Sequence, residues 1–500
     1  MTRAVPVAAA VVETSHSAGR RVARDSLIVV LAGQVERVLG TVTALAIRWG
    51  LDPARLGVYT GLRIYLDNTN RSSLGVGLGA VQEIPILRAS GREAEARLVA
   101  DVAHTTNAIT CVAYVLGLLL WAWLRTPLVA SDPLAREWTW GLAAVAGLAL
   151  LKRYESFLIA VLRARQEFAV TSQVDVVEAL VSIVAVAVGL RLAGFWGLLA
   201  SVGLILLAKV AFLHARHPYR FGWAWDATIV GRLMKTGLPI LANTAVFGAV
   251  MNLDRVVILW RVPDGERALG LYATMALMGT GWSLDLAGRI VTVLYPYFQT
   301  TLGRTGDASE VARRALRATE FQAPLLAVGS AVAYFAGPVF LGAILPRYSE
   351  GLPALRPLLP GVTLLGLAWP ARQMLITIGR PYRLAVATLV GLAVVGAASV
   401  IGADRAGIVG VAWGMTAGYA AVFLLSSATA FISCVGLGDW CLHLLRLGAV
   451  IGWVVAGVAL VGTISTGLGA WGDVGLRLGG LGTWCVPLLA ICKVGFDRAG

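Results

Sequence analysis

Apolar runs separated by short polar loops extend along almost the whole chain. They fall at 26–48, 56–85, 101–124, 138–162, 170 onward, 196–214, 236–260 and 269–295. Further runs end near 345 and cover 357–378, flank Ala403–Gly407, and occupy 447–465 and 476–492. Each is long enough to cross a hydrocarbon core as a helix, which needs roughly 20 residues. The pattern predicts about 14 transmembrane helices.

Composition agrees. Of 500 residues, 58% are hydrophobic and 14% charged, and the mean hydropathy is +0.76. A soluble domain carries roughly 25% charged residues. The net charge of +14 raises the question of nucleic acid, but the basic residues sit in short clusters between apolar runs. That distribution follows the positive-inside rule and excludes a continuous phosphate-binding surface. Lys and Arg are about twice as frequent in segments predicted to be inside as in those outside, with both termini cytoplasmic. The first residues, 1–25, read as a cytoplasmic tail without the apolar core of a signal peptide.

Cys111, Cys434, Cys441, Cys485 and Cys492 form neither a CxxC nor a Cys/His spacing, so they read as small apolar side chains. The histidines are scattered. HExxH, GxSxG and P-loop motifs are absent, so no catalytic residue, metal or cofactor is expected.

An internal repeat organises the runs. Trp49, a short polar loop and Leu56-Gly57-Val58-Tyr59 are echoed by Trp260, a loop and Leu269-Gly270-Leu271-Tyr272. Pro85 and Pro296 follow at similar spacing, each before a charged amphipathic connector. Both copies place an odd-numbered helix before the Trp, which makes the repeat parallel, as in transporters with a substrate site between halves. The expected fold class is therefore an all-α integral membrane protein with two pseudo-symmetric six-helix lobes around a central cavity plus two C-terminal helices. The expected divisions are an N-lobe at 26–214, an interfacial linker at 215–235, a C-lobe at 236–434 and helices 13–14 within 435–500.

Charges inside apolar runs carry the functional signal, because a charge at the bilayer centre costs about 2.5–3.5 kcal/mol or more. Arg63, Asp67 and Arg71 are spaced i, i+4, i+8, which on one continuous helix puts them on one face. One carboxylate cannot neutralise two guanidiniums, so that face predicts a wet cavity or an anionic ligand. Asp285 and Arg289 are their repeat counterparts. Asp254 and Arg255 are adjacent and point about 100° apart, and Asp254 shares a face with Asn243 and Phe247. Glu36 and Arg37 fall in the first run. In the fourth, Lys152 and Glu155 are spaced to pair, with Arg153 between them. Arg372 reads as isolated, Lys209 as a snorkelling lysine, and Asp175 and Glu178 as interfacial or functional. The substrate-binding candidates are Arg37, Arg63, Arg71, Arg153, Arg255, Arg289 and Arg372. Those for ion coupling or gating are Glu36, Asp67, Asp254 and Asp285. A cavity richer in arginine than in carboxylate suits a diphosphate, which arginine recognises by bidentate hydrogen bonding.

The LGVY and LGLY elements, the proline and basic connector after the second and eighth helices, Asn252-Leu253-Asp254-Arg255 and the LRARQEF run after the fourth helix resemble the multidrug/oligosaccharidyl-lipid/polysaccharide flippase superfamily. Over about residues 26–434 the chain is most similar to its polysaccharide-export flippases. It departs from the lipid II branch in lacking a Ser-Arg-rich first helix. The resemblance implies a non-enzymatic flippase in the bacterial inner membrane. Its cargo would be an undecaprenyl-diphosphate-linked oligosaccharide, moved by alternating access for cell-surface polysaccharide biosynthesis. Its partners would be the polyprenyl-diphosphate-linked glycan, the lipid bilayer, and a polysaccharide polymerase and glycosyltransferases. Two alternatives stay open: a cation-coupled multidrug exporter of the same superfamily, and a membrane polysaccharide polymerase or ligase. The second is disfavoured by outer loops of only about a dozen residues.

Overall fold

The computed structural model describes residue 36 and residues 38–130, 132–164, 167–216, 221–464 and 469–497. Every regular element among them is helical. In chain order these are α1 (Val38–Gly50), α2 (Pro53–Asn68), α3 (Val76–Ala89), α4 (Glu93–Leu124), α5 (Pro133–Ala164), α6 (Phe168–Arg216) and α7 (Ala227–Val250). There follow α8 (Leu253–Arg261), α9 (Gly265–Thr305), α10 (Ala308–Ile344), α11 (Leu352–Thr377), α12 (Pro381–Val435), α13 (Leu437–Gly462) and α14 (Ala470–Asp497). Seven helices of the described residues are long and apolar enough to cross a membrane. Large apolar side chains such as Leu116, Trp123, Leu192 and Val386 point outward from the protein. In a soluble protein that surface would be a liability, whereas against lipid it is matched. The chain is a multi-pass membrane protein.

Its residues divide into two compact units. One joins the described residues up to Leu51 to Leu62–Ala242, and the other joins Asp52–Gly61 to Asn243–Gly500. Helices α2 and α7 therefore each contribute to both units. Helix α7 also starts inside the 215–235 stretch expected to be a linker.

Each unit contains a helix that reverses on itself at the same small-residue pattern. In α6, Gly189 is followed by Ala193-Gly194 and Gly197; in α12, Gly402 is followed by Ala406-Gly407 and Gly410. Ala193 and Gly194 take φ/ψ of −142/17 and 53/−124, and Ala406 and Gly407 take −144/23 and 55/−133. The positive φ needs glycine. The outer glycines let the arms touch backbone to backbone, as a Cβ on Gly197 would lie 1.8 Å from the Gly189 carbonyl oxygen and one on Gly410 1.9 Å from that of Gly402. Small residues permit such close approach in membranes, where packing replaces the hydrophobic effect between helices.

The LGVY/LGLY repeat is also a structural device. A Cβ on Gly57 would lie 1.6 Å from the Glu266 carbonyl oxygen, and one on Gly270 1.8 Å from that of Pro53. Each glycine is four residues after the carbonyl that receives its counterpart. The start of α2 and the start of α9 thus cross reciprocally at matching positions of the repeat.

The C-terminal pair is fastened by aromatic and polar contacts. Trp453 and Trp484 stack at 4.7 Å, and each indole N–H donates to the other's backbone carbonyl, at 3.1 and 2.9 Å. Helix α13 is held to α10 by Glu320, which accepts from Arg446 at 3.3 Å and lies 3.1 Å from His443 Nδ1.

Candidate functional site

The expectation of one continuous charged helix over 56–85 is corrected by the structure. Helix α2 stops at Asn68, a 3-10 turn covers Thr69–Ser73, and Leu74 and Gly75 take φ of 52 and 78 before α3 starts. Gly75 is required twice over, by its positive φ and by contact with the Gly237 backbone, whose carbonyl carbon would lie 2.4 Å from an added Cβ. Arg63 and Asp67 remain on α2 and pair at 3.6 Å, both more than half exposed. Arg71 sits in the 3-10 turn, half-buried, and donates to Asn68 Oδ1. It does not continue the helical stripe of Arg63 and Asp67.

The break is held from α5. Arg153 is 5% exposed and donates to the Asn70 carbonyl at 3.2 Å, to Asn107 Oδ1 at 3.5 Å and to Ser72 Oγ. All these partners are neutral, and the Arg153 Nε has none. A guanidinium with its fork of donors suits this work, because a broken helix presents several unmatched acceptors at once.

On either side of Arg153, α5 also carries a buried ion-pair network. Glu155 is 1% exposed and Lys209 4%. Lys209 Nζ lies 2.6 Å from Glu155 Oε1 and also bonds Glu178, while Lys152 Nζ lies 3.1 Å from Glu155 Oε2. The Lys152–Glu155 pair is the one the spacing predicts. Lys209, by contrast, does not snorkel. It turns inward to two carboxylates because they come from α5 and from the other arm of α6, a long-range meeting that local spacing does not encode. Ser156 also donates to Glu155, at 3.2 Å, and Asn70 donates to Ser156 at 3.0 Å, so the network reaches back to the broken helix. Two lysines and two glutamates leave it neutral.

The second unit treats its buried charges differently. Asp254 is 4% exposed in the first turn of α8, where its Oδ1 accepts the Arg255 backbone N–H at 2.8 Å. A carboxylate there is favoured by the helix dipole. The buried phenols of Tyr272 and Tyr419 lie in its field. Tyr419 donates to Met251 Sδ at 3.8 Å, and the Tyr272 hydroxyl makes no hydrogen bond of ordinary geometry. Arg255 is half-buried. Arg372 places its guanidinium 4.2 Å over the Phe247 ring and donates to Thr388 Oγ1 at 3.1 Å. Among the described residues it has no carboxylate partner.

Glu36 is exposed. Arg37 lies outside the described residues, as do the side chains of Asp285 and Arg289 on α9. Sequence reasoning missed Lys209 with Glu155 and Glu178 as a network, and Phe247 with Trp369 as the surroundings of Arg372. The available signal was the α7 face shared by Asn243 and Phe247.

Residues 91–345 match the family described as polysaccharide biosynthesis protein. The chain belongs to the polysaccharide biosynthesis protein family. No curated protein matches it significantly in sequence. This family member shares its fold with solved structures of the MOP superfamily of transporters. An inward-closed structure of the lipid II flippase MurJ aligns over 92% of this chain and 98% of its own, with a TM-score of 0.70 at 10% identity. An inward-facing multidrug resistance MATE family transporter of the MOP superfamily aligns over 84% and 98%, with a TM-score of 0.63 at 14% identity. A MOP superfamily transporter from Pyrococcus furiosus, whose binding pocket is described as of reverse polarity, aligns over 86% and 95%, with a TM-score of 0.55 at 13% identity. In this polysaccharide biosynthesis family member the buried cations of the first unit are neutralised or hydrogen-bonded to the chain. Among the described residues, Arg372 of the second donates to Thr388 and rests on the Phe247 ring, with no carboxylate partner.

Proposed function

We propose that the protein is a flippase that carries a polyprenyl-diphosphate-linked oligosaccharide, of the undecaprenyl type, across a bacterial inner membrane. The observation that carries this reading is the combination of polysaccharide biosynthesis family membership with a transporter fold. The diphosphate headgroup binds arginine, the polyprenyl tail stays in lipid, and alternating access exposes the headgroup first to the cytoplasm and then outside. Both termini are cytoplasmic in this scheme. Arg372 is the arginine best supported for the headgroup, since its guanidinium is committed to one hydroxyl and an aromatic face. Arg37, Arg63, Arg71, Arg255 and Arg289 are additional contacts, and Arg153 serves to hold the broken second helix. Asp254 is the coupling carboxylate best supported by burial, with Glu36, Asp67 and Asp285 as the other candidates. A polymerase and glycosyltransferases act before and after the transfer. The multidrug exporter reading draws support from the fold alone, and a buried guanidinium without a carboxylate partner among the described residues disfavours cationic cargo.

The test is flipping of a labelled polyprenyl-diphosphate oligosaccharide by the purified protein in liposomes. Transfer above protein-free vesicles is expected, with a fall of at least about tenfold in Arg372→Ala, as loss of a charge-assisted contact implies. Absence of transfer together with proton-dependent efflux of a cationic dye would overturn the reading. Transfer that survives joint replacement of Arg63, Arg71 and Arg289 by alanine would remove those three from the site.

A further inference from the structure

Asn243 and Phe247 lie one turn apart on α7, and Trp369 and Arg372 lie one turn apart on α11, all in the unit that holds Asn243–Gly500. The Trp369 ring meets the Phe247 ring edge to face, with centroids 6.4 Å apart and planes at 85°. Arg372 covers the Phe247 face at 4.2 Å. Beside Trp369, Pro370 has no N–H for the Gly366 carbonyl; Gln322 Nε2 approaches that carbonyl instead, at 3.4 Å. From α9, Gly288 faces the indole, and a Cβ there would be 3.9 Å from the ring.

The polar atoms of this group are under-used. Arg372 spends one of its five N–H donors on Thr388. The Trp369 Nε1–H and the Asn243 Oδ1 are both buried without a hydrogen-bond partner. Buried polar groups in native proteins are nearly always satisfied, so two orphans on the helix turns that carry Phe247 and Arg372 call for a partner that the described residues do not supply. The chemistry of that partner follows from the set. An aromatic pair offers ring faces to the C–H side of a pyranose. One donor and one acceptor match sugar hydroxyls, which both accept and donate. A guanidinium fork matches a phosphate.

We propose that Asn243, Phe247, Trp369 and Arg372 form a subsite for a sugar diphosphate, with the phosphate on Arg372 and the adjoining sugar against Trp369 and Phe247. The inference rests on the flippase reading and deepens it, because it says which end of the cargo this unit grips. The orphan atoms have no exposed surface in the conformation described, so the sugar enters as Arg372 lifts from the Phe247 ring towards the phosphate.

The test compares two probes on the full chain in detergent: farnesyl diphosphate, and farnesyl diphosphate bearing one N-acetylglucosamine. In the unmodified protein both bind, and the sugar tightens Kd. In Trp369→Ala, farnesyl diphosphate binds as before and the gain from the sugar falls about three- to tenfold; Phe247→Ala, which also unseats Arg372, loses the same gain. Trp369→Phe, which keeps a ring but loses the N–H, retains part of the gain. Arg372→Gln weakens both probes together. A sugar gain that is absent in the unmodified protein, or intact in both alanine variants, overturns the subsite while leaving the flippase reading in place. Equal loss of both probes in monodisperse Trp369→Ala also overturns it, since the indole would then be structural. Failure of both probes to bind the unmodified protein overturns the diphosphate reading beneath it.

Discussion

The two units bury cations in opposite ways. Around α5 and α6, Lys209 and Lys152 are matched by Glu155 and Glu178, and Arg153 is spent on acceptors of the broken second helix. Around α7 and α11, Arg372 rests on a phenyl face with one hydroxyl for company. Under the proposed function, the difference separates structural charge from functional charge. A neutral, hydrogen-bonded network holds helices in register and has nothing left to offer a ligand. A guanidinium without a counter-ion is costly to bury and is retained where an anion will complete it.

The sharpest way to break this contrast is at Glu155. Glu155→Gln leaves Lys209 with Glu178 and deprives Lys152 of its partner, and loss of one member of a buried pair costs about 3–5 kcal/mol. Thermal unfolding in detergent is expected to shift down strongly. Removing both charges, as Glu155→Gln with Lys152→Met, leaves the Lys209–Glu178 pair intact and recovers most of the loss. If the single and double variants unfold alike, the network is not a unit.

A smaller effect is expected at Arg153. Arg153→Leu abandons the Asn70 carbonyl and Ser72 hydroxyl at the break between α2 and α3, with a cost of about 1–3 kcal/mol for the stranded groups. Hydrogen exchange at 69–75 is expected to quicken while α13 and α14 keep their protection. Uniform loss of protection would mean that Arg153 supports the whole unit and not the break.

This break shows what the sequence made legible. Hydropathy located nearly every long helix, because burial in lipid is a local property of each segment. The interruption had a local trace, the polar run Thr69-Asn70-Arg71-Ser72-Ser73 before Leu74-Gly75. Its geometry, however, is set by Arg153 from α5 and by the Gly237 backbone, both distant in the chain. The i, i+4, i+8 argument for Arg63, Asp67 and Arg71 assumed helical continuity, so it failed at Arg71 and held for the Arg63–Asp67 pair. The LGVY/LGLY repeat was readable, while its reciprocal glycine crossing needed the fold. The second repeat, Gly-x3-Ala-Gly-x2-Gly, was equally present in the sequence at Gly189 and Gly402 and is recognised through its shared backbone geometry. Lys209 and Arg372 both read as isolated. Local spacing cannot tell a lysine that will meet two glutamates from an arginine that will meet a ring.

The two reversals provide a control in which the units should behave alike. Gly194→Ala and Gly407→Ala force a Cβ into φ near +55 with ψ near −130, outside the left-handed helical region, at about 1–3 kcal/mol each. Neither site is crowded, as an added Cβ meets nothing within 4 Å at Gly194 and only Val262 at 3.9 Å at Gly407. The two losses of stability are expected to agree within about 0.5 kcal/mol, the usual resolution for independent sites. A clear inequality would show that the likeness of the hairpins stops at their dihedral angles.

The smallest expected change in stability is the most decisive. Arg372→Met keeps much of the side-chain length and deletes the charge. It loses a cation–π contact of about 0.5–2 kcal/mol, but also removes a buried charge that has no counter-ion among the described residues, whose burial is itself unfavourable. The two terms oppose each other, so unfolding in detergent is expected to move by no more than about 1 kcal/mol, in contrast to Glu155→Gln. Flipping in liposomes is expected to fall by at least about tenfold in the same variant, because the phosphate loses its charge-assisted donors. Stability and transport thus part company at Arg372 and fall together at Glu155. If Arg372→Met instead unfolds as readily as Glu155→Gln, the guanidinium on Phe247 is a brace for α7 and α11, and both units use their buried cations for structure alone.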